Sequence, residues 1–443
     1  MDKRYAVVGS GASGIAVSHY LQQEGIDVEL IESNDYLGGR MASCQLGERQ
    51  VAMGGKNIGK GYHLFRQFTQ EMGDNPYEFF GLNSSQIRDG KIVTVDSSRR
   101  WLGIFQLFKQ LSMSDIFRFF AACAAIKRRE ANGYLGGPYF NKLSQRLDDP
   151  AASNYFSQDF CQRLIRPMSV RMNGAEPDEI YIGNLGSNIR MVFDTYEQLH
   201  KGVTPVLEQF GQRVSICLRT TVKSLLCSGD RVTGLELEND SGIYRQNYDG
   251  VILATPAPIS AKLVGSCSPA LKTLLERINY YPVMVIVAEY NRNIFSEQVR
   301  ALVFDAEEAI SNAGSYGVSD RHIVRYTFSG RTARKYIESE MDTEKLLQIA
   351  ETALNRHIPV DASERVQYVA RRWSEGLCAY TSHHEEFSRD LEAQVEQLEG
   401  LYLTGDYLQG AAIEACFRAS KACAAKVVQS HSSQTRTAKL TYA

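Results

Sequence analysis

The feature that most constrains the fold is a glycine-rich turn near the N-terminus, between an apolar segment and an amphipathic one. The apolar segment is Tyr5 to Val8, the turn reads Gly9-Ser-Gly11-Ala-Ser-Gly14, and helical periodicity follows to about Glu24. A second apolar segment, Val28 to Ile31, comes next. This order is typical of a β-α-β unit, so the chain is predicted to open with two parallel strands and a crossover helix.

The glycines and an acidic residue after them have physical roles in binding a dinucleotide. Gly9 permits a sharp turn off the strand, Gly11 permits close approach of the backbone to a pyrophosphate, and Gly14 permits close packing of the helix on the sheet. Ser13 lies in the first turn of that helix, whose free N–H groups favour an anion. Glu32 follows Gly14 by 18 residues, where a carboxylate accepts hydrogen bonds from an adenosine ribose.

Composition excludes several classes of protein. A length of 443 residues is enough for two domains, and 44% hydrophobic and 23% charged residues are usual for a globular chain. The net charge of −2 disfavours a nucleic-acid partner. Nine cysteines without a CxxC pair favour a reducing compartment over a disulfide framework or a metal site. With no signal peptide and no apolar run near the ~18 residues of a membrane span, a cytoplasmic location is expected.

A second glycine motif specifies the dinucleotide. Gly38-Gly39-Arg40 adds a close backbone approach and a bidentate phosphate donor. The run from Gly9 to Arg40 resembles the opening of the flavin amine oxidoreductase superfamily, which includes monoamine and polyamine oxidases, protoporphyrinogen oxidases and carotenoid desaturases. The resemblance implies that this run binds FAD. The alternative is an NAD site followed by an incidental Gly-Gly-Arg loop.

Two later parts of the chain extend the resemblance. Trp373 and Tyr380 precede the segment GLYLTGDYLQG at residues 400–410, a closing pattern similar to that of protoporphyrinogen oxidases. In the family, the acid matching Asp406 accepts hydrogen bonds from the ribityl chain, and the helix that follows directs its N-terminus at the flavin. Val222 resembles the position whose backbone meets the adenine ring.

The motifs and the resemblance together predict the site residues. Catalytic roles are expected for Lys56 and Tyr380, and no metal site is expected. The predicted cofactor-binding residues are Gly9, Gly11, Ser13, Gly14, Glu32, Ser33, Gly38, Gly39, Arg40, Gly54, Gly55, Lys56, Val222, Ala254, Thr255, Trp373, Gly405, Asp406, Ala412 and Ile413.

Two of the predicted contacts have open alternatives. Lys56 lies either over the isoalloxazine ring, where a cation favours the reduced flavin, or in solvent as a loop lysine. FAD is expected to be bound non-covalently. The alternative is a thioether through Cys378, since monoamine oxidases carry a flavin-linked cysteine in this stretch.

The resemblance implies an α/β (α+β) fold of two domains. The first is an FAD-binding Rossmann-like domain that is discontinuous in sequence, made of residues 1–60, 201–277 and 395–429. The second is a substrate domain of helices and sheet, made of residues 61–200 and 278–394. Residues 430–443 are predicted to form a polar tail.

An amphipathic helix is predicted from Ser114 onward. It carries apolar residues at helical spacing, among them Phe119 and Phe120, and ends at Lys127-Arg128-Arg129. One interpretation is a core helix of the substrate domain. The other is an element at a membrane surface, which the combination of aromatic and basic residues favours and the resemblance to lipid-reaching family members supports.

The predicted function is that of an FAD-dependent oxidoreductase. The resemblance implies hydride transfer to flavin N5 from a C–C or C–N bond of a lipophilic or planar substrate, with O2 or another acceptor taking the electrons. One alternative is an amine oxidase acting on a small or medium amine, although the strand at residues 280–287 lacks the lysine that amine oxidases often carry. A different class is a non-catalytic binding protein with a dinucleotide-binding fold. Substrate identity and oligomeric state are left open.

Overall fold

The structure, a computed structural model, describes residues 4–81, 83–88, 90–96, 108, 111–339 and 341–441. The α-helices are α1 (Ala12–Gln23), α2 (His63–Glu71), α3 (Met113–Arg128), α4 (Pro138–Leu147), α5 (Ala152–Tyr155), α6 (Gln158–Phe160), α7 (Arg166–Asn173), α8 (Leu185–Arg190), α9 (Thr204–Gly211), α10 (Ala257–Val264), α11 (Pro269–Leu275), α12 (Arg331–Glu338), α13 (Thr343–Asn355), α14 (His384–Val395), α15 (Asp406–Gln409) and α16 (Ile413–Thr441).

The strands are β1 (Arg4–Val8), β2 (Asp27–Ile31), β3 (Ser43–Leu46), β4 (Arg49–Ala52), β5 (Ile58–Gly59), β6 (Tyr77–Phe79), β7 (Asn83–Arg88), β8 (Lys91–Asp96), β9 (Tyr196–Leu199), β10 (Ser215–Cys217), β11 (Thr221–Ser228), β12 (Arg231–Asn239), β13 (Gly242–Asn247), β14 (Gly250–Leu253), β15 (Asn279–Tyr290), β16 (Ala301–Val303), β17 (Asn312–Ser315), β18 (Ile323–Phe328), β19 (Arg365–Tyr380) and β20 (Leu401–Leu403).

A five-stranded parallel sheet, in the order β10-β2-β1-β14-β20, forms the Rossmann-like part of the fold. Its strands come from three separate parts of the chain, because parallel neighbours need crossover connections rather than tight turns. The predicted fold class, with a Rossmann-like sheet assembled from distant segments, is confirmed. The domain boundaries given above stay a prediction.

Both faces of the parallel sheet are buried, which explains why its strands are mostly apolar. On one face, Tyr5 and Val7 pack with α1 and α16. On the other face, Ala6 and Val8 pack with the three-stranded antiparallel sheet β11-β12-β13 and with α10 and α14. The sheet is therefore fixed from both sides, and its loops are held in place at the strand ends.

A seven-stranded sheet, in the order β19-β15-β18-β17-β16-β7-β8, forms the second large part of the fold. Successive residues of a strand point to opposite faces, and the central strands follow this alternation. Ile286 of β15 and Tyr326 of β18 pack on α12 and α13. Val285 and Arg325, on the same two strands, line a large cavity on the opposite face. This sheet thus forms the floor of the cavity.

The predicted amphipathic helix is α3, and it differs from the expectation at its start. It begins at Met113 with Ser112 at the N-cap, so the expectation that Ser114 caps the helix is wrong: Ser114 lies inside the first turn. Phe119 is buried, whereas Phe117 and Phe120 are exposed by 75% and 51%. The helix therefore has one face in the core and one exposed apolar face, and contact of the exposed face with a membrane surface stays a prediction.

The final helix α16 continues to Thr441, through the segment predicted as a polar tail. One further expectation needs correction. Cys227 and Cys267 form a disulfide that joins β11 to the segment before α11, whereas the cysteine pattern predicted no disulfide framework.

Among the described residues, no group of His, Cys, Asp and Glu side chains could hold a metal ion. None of the described helices combines the length and apolar character needed to cross a membrane.

Candidate functional site

A cavity of about 920 Å³ extends from the glycine-rich loops of the parallel sheet to the floor made by the seven-stranded sheet. This volume lies at the upper end of the range for small-molecule and cofactor sites. It brings together residues from the beginning, middle and end of the chain. The predicted cofactor-binding residues that line it are Gly11, Ser13, Arg40, Gly54, Gly55, Lys56, Ala254, Thr255, Trp373, Gly405, Asp406, Ala412 and Ile413.

The other predicted cofactor-binding residues lie outside the lining of this cavity, and several of them shape the loops that form it. Gly9 has φ +95°, a conformation that favours glycine. A Cβ on Gly14 would lie 1.8 Å from the carbonyl oxygen of Gly9, so only glycine lets α1 pack against this loop. The predicted residues outside the lining are Gly9, Gly14, Glu32, Ser33, Gly38, Gly39 and Val222.

Glu32 lies at the end of β2 and is buried. One carboxylate oxygen accepts hydrogen bonds from Ser10 N (2.9 Å) and Ser10 Oγ (2.7 Å). The other accepts from Asn34 N (2.9 Å) and Asn34 Nδ2 (2.7 Å), and from Ser33 Oγ (3.2 Å). These local donors fix the carboxylate next to the glycine turn. Its contact with a ribose stays a prediction.

Arg40, Asp406 and Tyr280 form a polar network in the cavity wall. Arg40 Nη1 donates to Asp406 Oδ2 (2.8 Å) and to the carbonyl oxygen of Gly376 (3.1 Å). The Tyr280 hydroxyl donates to the other oxygen of Asp406. Burial, the largest single effect, disfavours the charge on Arg40, but Asp406 and Tyr280 together outweigh burial, so the pKa of Arg40 is raised. Arg40 and Asp406 therefore form a compensated ion pair.

Lys56 lies in the cavity wall, where its amino group makes two hydrogen bonds and cation–π contacts. Its Nζ donates to the carbonyl oxygen of Tyr316 (2.7 Å) and to Gln198 Oε1 (3.0 Å), and lies 3.4 Å from the centroid of the Phe80 ring. Burial, followed by the charge of Arg325, lowers the pKa of Lys56 well below its usual value. The solvated-loop alternative therefore does not describe Lys56, and its catalytic role stays a prediction.

Tyr380 lies behind the cavity wall. Its side chain is buried, and its hydroxyl accepts a hydrogen bond from Ala411 N (2.8 Å). The residue has φ +64°, an uncommon conformation for a non-glycine residue. Burial, and then the charge of Cys378, raises the pKa of Tyr380 well above its usual value. In the structure Tyr380 supports the segment before α16 and is not among the cavity-lining residues, and its catalytic role stays a prediction.

Cys378 lines the cavity, but its surroundings disfavour the reactive form of the thiol. The side chain is fully buried. Burial, and then the charge of Asp406, raises the pKa of the Cys378 thiol well above its usual value. Addition to an electrophilic carbon requires the thiolate, so this environment favours a packing role.

Three cavity-lining or network residues carried no assignment from the sequence. Tyr280 lies on the first half of β15, Arg171 on α7, and Arg325 on β18. For Arg325 a signal existed, because Arg325 and Thr327 are the polar alternates of an otherwise apolar strand. For Arg171 the signal was its position three residues after Met168 on a predicted helix, which places both side chains on the same face. Met168 also lines the cavity.

The residues present fit a dinucleotide cofactor. A Cβ on Gly11 would meet no protein atom within 4 Å, so the wall is open where the pyrophosphate is predicted. A Cβ on Gly54 would lie 1.6 Å from the carbonyl oxygen of Arg40, so the backbone at Gly54 packs directly against the Gly38-Gly39-Arg40 motif. Asn57 Oδ1, also in the lining, is buried and has no hydrogen-bond partner among the described residues. The lining thus offers open backbone and a free acceptor.

Comparisons with known proteins identify what the chain is similar to. Residues 12–428 match the family model described as flavin containing amine oxidoreductase. Protoporphyrinogen oxidase 2, chloroplastic/mitochondrial, of Arabidopsis thaliana is 20% identical, over 93% of this chain and 91% of that protein. Wild-type putrescine oxidase bound to putrescine superposes with a TM-score of 0.72 at 15% identity, over 97% of this chain and 99% of that chain. Cyclohexylamine oxidase from Brevibacterium oxydans IH-35A gives 0.72 at 14% identity, over 98% and 100%.

Proposed function

The chain belongs to the family of flavin containing amine oxidoreductases and is a flavin-dependent oxidoreductase, and from this premise we propose the bond it oxidises and the residues that hold its cofactor. The proposed reaction removes hydrogen from a C–C or C–N bond of a lipophilic or planar substrate. FAD supplies the hydride acceptor when it is bound. The observation that carries the proposal is the single cavity that joins the glycine-rich loops to an apolar chamber.

The residues of the loops are proposed to hold FAD in defined ways. The backbone at Gly11 and Ser13, together with the N-terminus of α1, binds the pyrophosphate. Glu32 accepts hydrogen bonds from the adenosine ribose. Asp406, fixed by the Arg40 ion pair, accepts from the ribityl chain, and Ala412 directs the N-terminal end of α16 at the flavin.

The chamber beyond these loops favours a lipophilic or planar substrate. Its floor contributes Val283 and Val285, and α3 contributes Phe119 and Phe120. Such walls remove apolar substrate surface from water and exclude water from the reacting bond. The similarity to a protoporphyrinogen oxidase along almost the whole chain supports this substrate class, and the similarity to amine oxidases makes an amine the alternative.

Purification with measurement of the absorption spectrum tests the proposal. We expect a yellow protein with bands near about 375 and 450 nm, which bleach on anaerobic reduction. Anaerobic mixing with candidate amines and with lipophilic C–H donors then separates the two substrate classes by the rate of bleaching. A colourless protein that FAD does not reconstitute would contradict the proposal.

The flavin is proposed to be held without a covalent bond. Because burial raises the pKa of the Cys378 thiol well above its usual value, little thiolate exists there at neutral pH. Acid precipitation of the wild type should release all yellow colour to the supernatant, and Cys378→Ser should retain FAD to the same extent. Yellow colour that stays in the washed wild-type pellet and disappears in Cys378→Ser would establish a thioether instead.

Lys56 is proposed to influence the reduction potential of the bound flavin. Its pKa is lowered, so the ammonium form exists only below that lowered value. At low pH the wild type should therefore have a more positive potential than Lys56→Met, by on the order of 30 mV, equivalent to about 1.4 kcal/mol for two electrons. At high pH the two potentials should converge, because Lys56 is then neutral. A spectroelectrochemical titration in a pH series measures both.

Lys60→Met is a matched control for Lys56→Met, since its side chain is 60% exposed. It should leave the potential unchanged at every pH. Equal potentials for wild type and Lys56→Met across the series would remove Lys56 from the flavin environment and leave its role in the hydrogen bonds to Gln198 and Tyr316.

Peripheral contact with a lipid surface is proposed for the exposed face of α3. Met113 and Phe117 are exposed by 77% and 75%, Phe120 by 51%, and Lys127 follows on the same helix. Flotation with vesicles containing phosphatidylserine should therefore carry the protein, and Phe117→Ser with Phe120→Ser should abolish this without changing the melting temperature.

Phe119→Ser serves as the control for that experiment. Phe119 is buried in the helical cluster, so its replacement should lower the melting temperature rather than act on vesicle binding alone. If the wild type stays in solution with anionic vesicles, the exposed face does not bind lipid.

A further inference from the structure

The described lining of the cavity carries far more positive than negative charge. Its acidic member is Asp406, which Arg40 compensates at 2.8 Å. The basic residues of the lining are Arg40, Lys56, Lys127, Arg163, Arg171 and Arg325. Besides Asp406, the described lining of the cavity contains no further carboxylate.

Arg325 is held rigidly in the floor of the chamber. Its Nη1 donates to the carbonyl oxygen of Ala52 (2.6 Å), and its Nη2 donates to those of Met53 (3.0 Å) and Gly54 (2.9 Å). Carbonyl groups satisfy donors but do not neutralise charge. No described carboxylate lies within ion-pair distance of Arg325, and burial lowers its pKa to about 10. The floor thus presents a fixed positive charge.

Arg171 adds a second positive charge to the lining of the cavity. It lies on α7 beside Met168 and Met172, which also line the cavity. Its charge acts on Arg325 and contributes to the lowered pKa of that residue. Among the described residues, Arg171 has neither a carboxylate nor a hydrogen-bond acceptor as partner, and burial lowers its pKa as well. Two guanidinium groups that repel each other and lack a described counter-ion favour an anion between them.

Other residues of the cavity lining also favour an anion near the two guanidinium groups. Lys56 contributes a further basic side chain, held by the carbonyl of Tyr316 and by Gln198 rather than by a carboxylate. Ser315 lines the same region, and its buried Oγ has no described hydrogen-bond partner. A protonated amine would be repelled by Arg171 and Arg325, whereas a carboxylate would gain charge-assisted hydrogen bonds.

We propose that the substrate is a lipophilic molecule bearing a carboxylate, which binds between Arg171 and Arg325 while its apolar body fills the chamber. The inference rests on the proposed function and gives it a substrate class. It assigns Arg171 as a residue that determines specificity. It disfavours amines as substrates, although amine oxidases share the fold.

A charge-matched ligand series tests the inference on the FAD-loaded protein. The probes are 4-phenylbutyrate, 4-phenylbutanol and 4-phenylbutylamine, which share one apolar body and differ in the charge of the end group. Calorimetry should give the carboxylate a dissociation constant at least about tenfold lower than that of the amine, with the alcohol between them. Arg171→Met should remove most of this preference, and Arg171→Lys should restore part of it.

Arg389→Met is the matched control, because it removes the same charge from an exposed site whose side chain is 73% accessible. It should leave all three dissociation constants unchanged. An amine that binds as tightly as the carboxylate, or a carboxylate preference that survives Arg171→Met, would overturn the inference. Flavin absorbance in the same samples reports the proposed function separately: a flavin-loaded protein without charge preference contradicts only the inference, and a protein that FAD cannot load contradicts the proposed function.

Discussion

Gly14→Ala is expected to destabilise the apoprotein by roughly 3 kcal/mol or more. The new Cβ would lie 1.8 Å from the carbonyl oxygen of Gly9 and 2.9 Å from its carbonyl carbon, so α1 or the turn must move. The better helix propensity of alanine, worth about 1 kcal/mol, does not offset a backbone overlap of this size. Urea unfolding of the apoprotein measures the change, and FAD retention should be lost as well.

Gly11→Ala separates packing from binding in the same motif. A Cβ on Gly11 has no protein atom within 4 Å, so the stability of the apoprotein should change by less than about 0.5 kcal/mol. FAD affinity should nevertheless fall at least about tenfold, because the methyl group occupies the space predicted for the pyrophosphate. A Gly11→Ala protein that binds FAD as the wild type does would place the pyrophosphate elsewhere, and an unchanged Gly14→Ala protein would contradict the packing argument.

Asp406→Ala is expected to cost about 3 kcal/mol of stability and to remove FAD binding. The substitution leaves Arg40 without its counter-ion and Tyr280 without its acceptor. The expected cost lies at the lower end for a broken buried pair, because 32% of the Arg40 side chain is exposed. Unfolding of apoprotein and flavin titration of the refolded variant measure the two effects.

Two controls isolate the charge effect at Asp406. The double variant Arg40→Met with Asp406→Ala should be less destabilised than the sum of the single variants, since no unpaired charge remains. Asp35→Ala removes a carboxylate that is 64% exposed and should have little effect. Additive single-variant costs would show that the ion pair does not couple the two residues energetically.

The sequence by itself determined the parts of the protein whose signals are local. The turn from Gly9 to Gly14 lies between an apolar strand and a periodic helix. Gly9 has φ +95°, and Gly14 must clear the carbonyl oxygen of Gly9, so both steric demands are local, whereas a Cβ on Gly11 would meet no protein atom within 4 Å. The same holds for the strand and turn that lead to Asp406. Strand, turn and helix together cover about 30 residues, so backbone sterics and periodicity are enough to predict them. The family resemblance extended these local signals to the whole fold.

Tertiary structure alone decided which distant residues meet at the site. Arg40 and Asp406 are 366 residues apart, and Tyr280 and Asp406 are 126 apart. The register of β18 places Arg325 on the cavity face of its strand, and the packing of α7 brings Arg171 into the lining of the same cavity. A local pattern predicts which side of a helix or strand is apolar, but it does not predict which other element packs against that side. The positive chamber, Tyr380 behind its wall and the divided faces of α3 therefore follow from packing, which no window of the sequence contains.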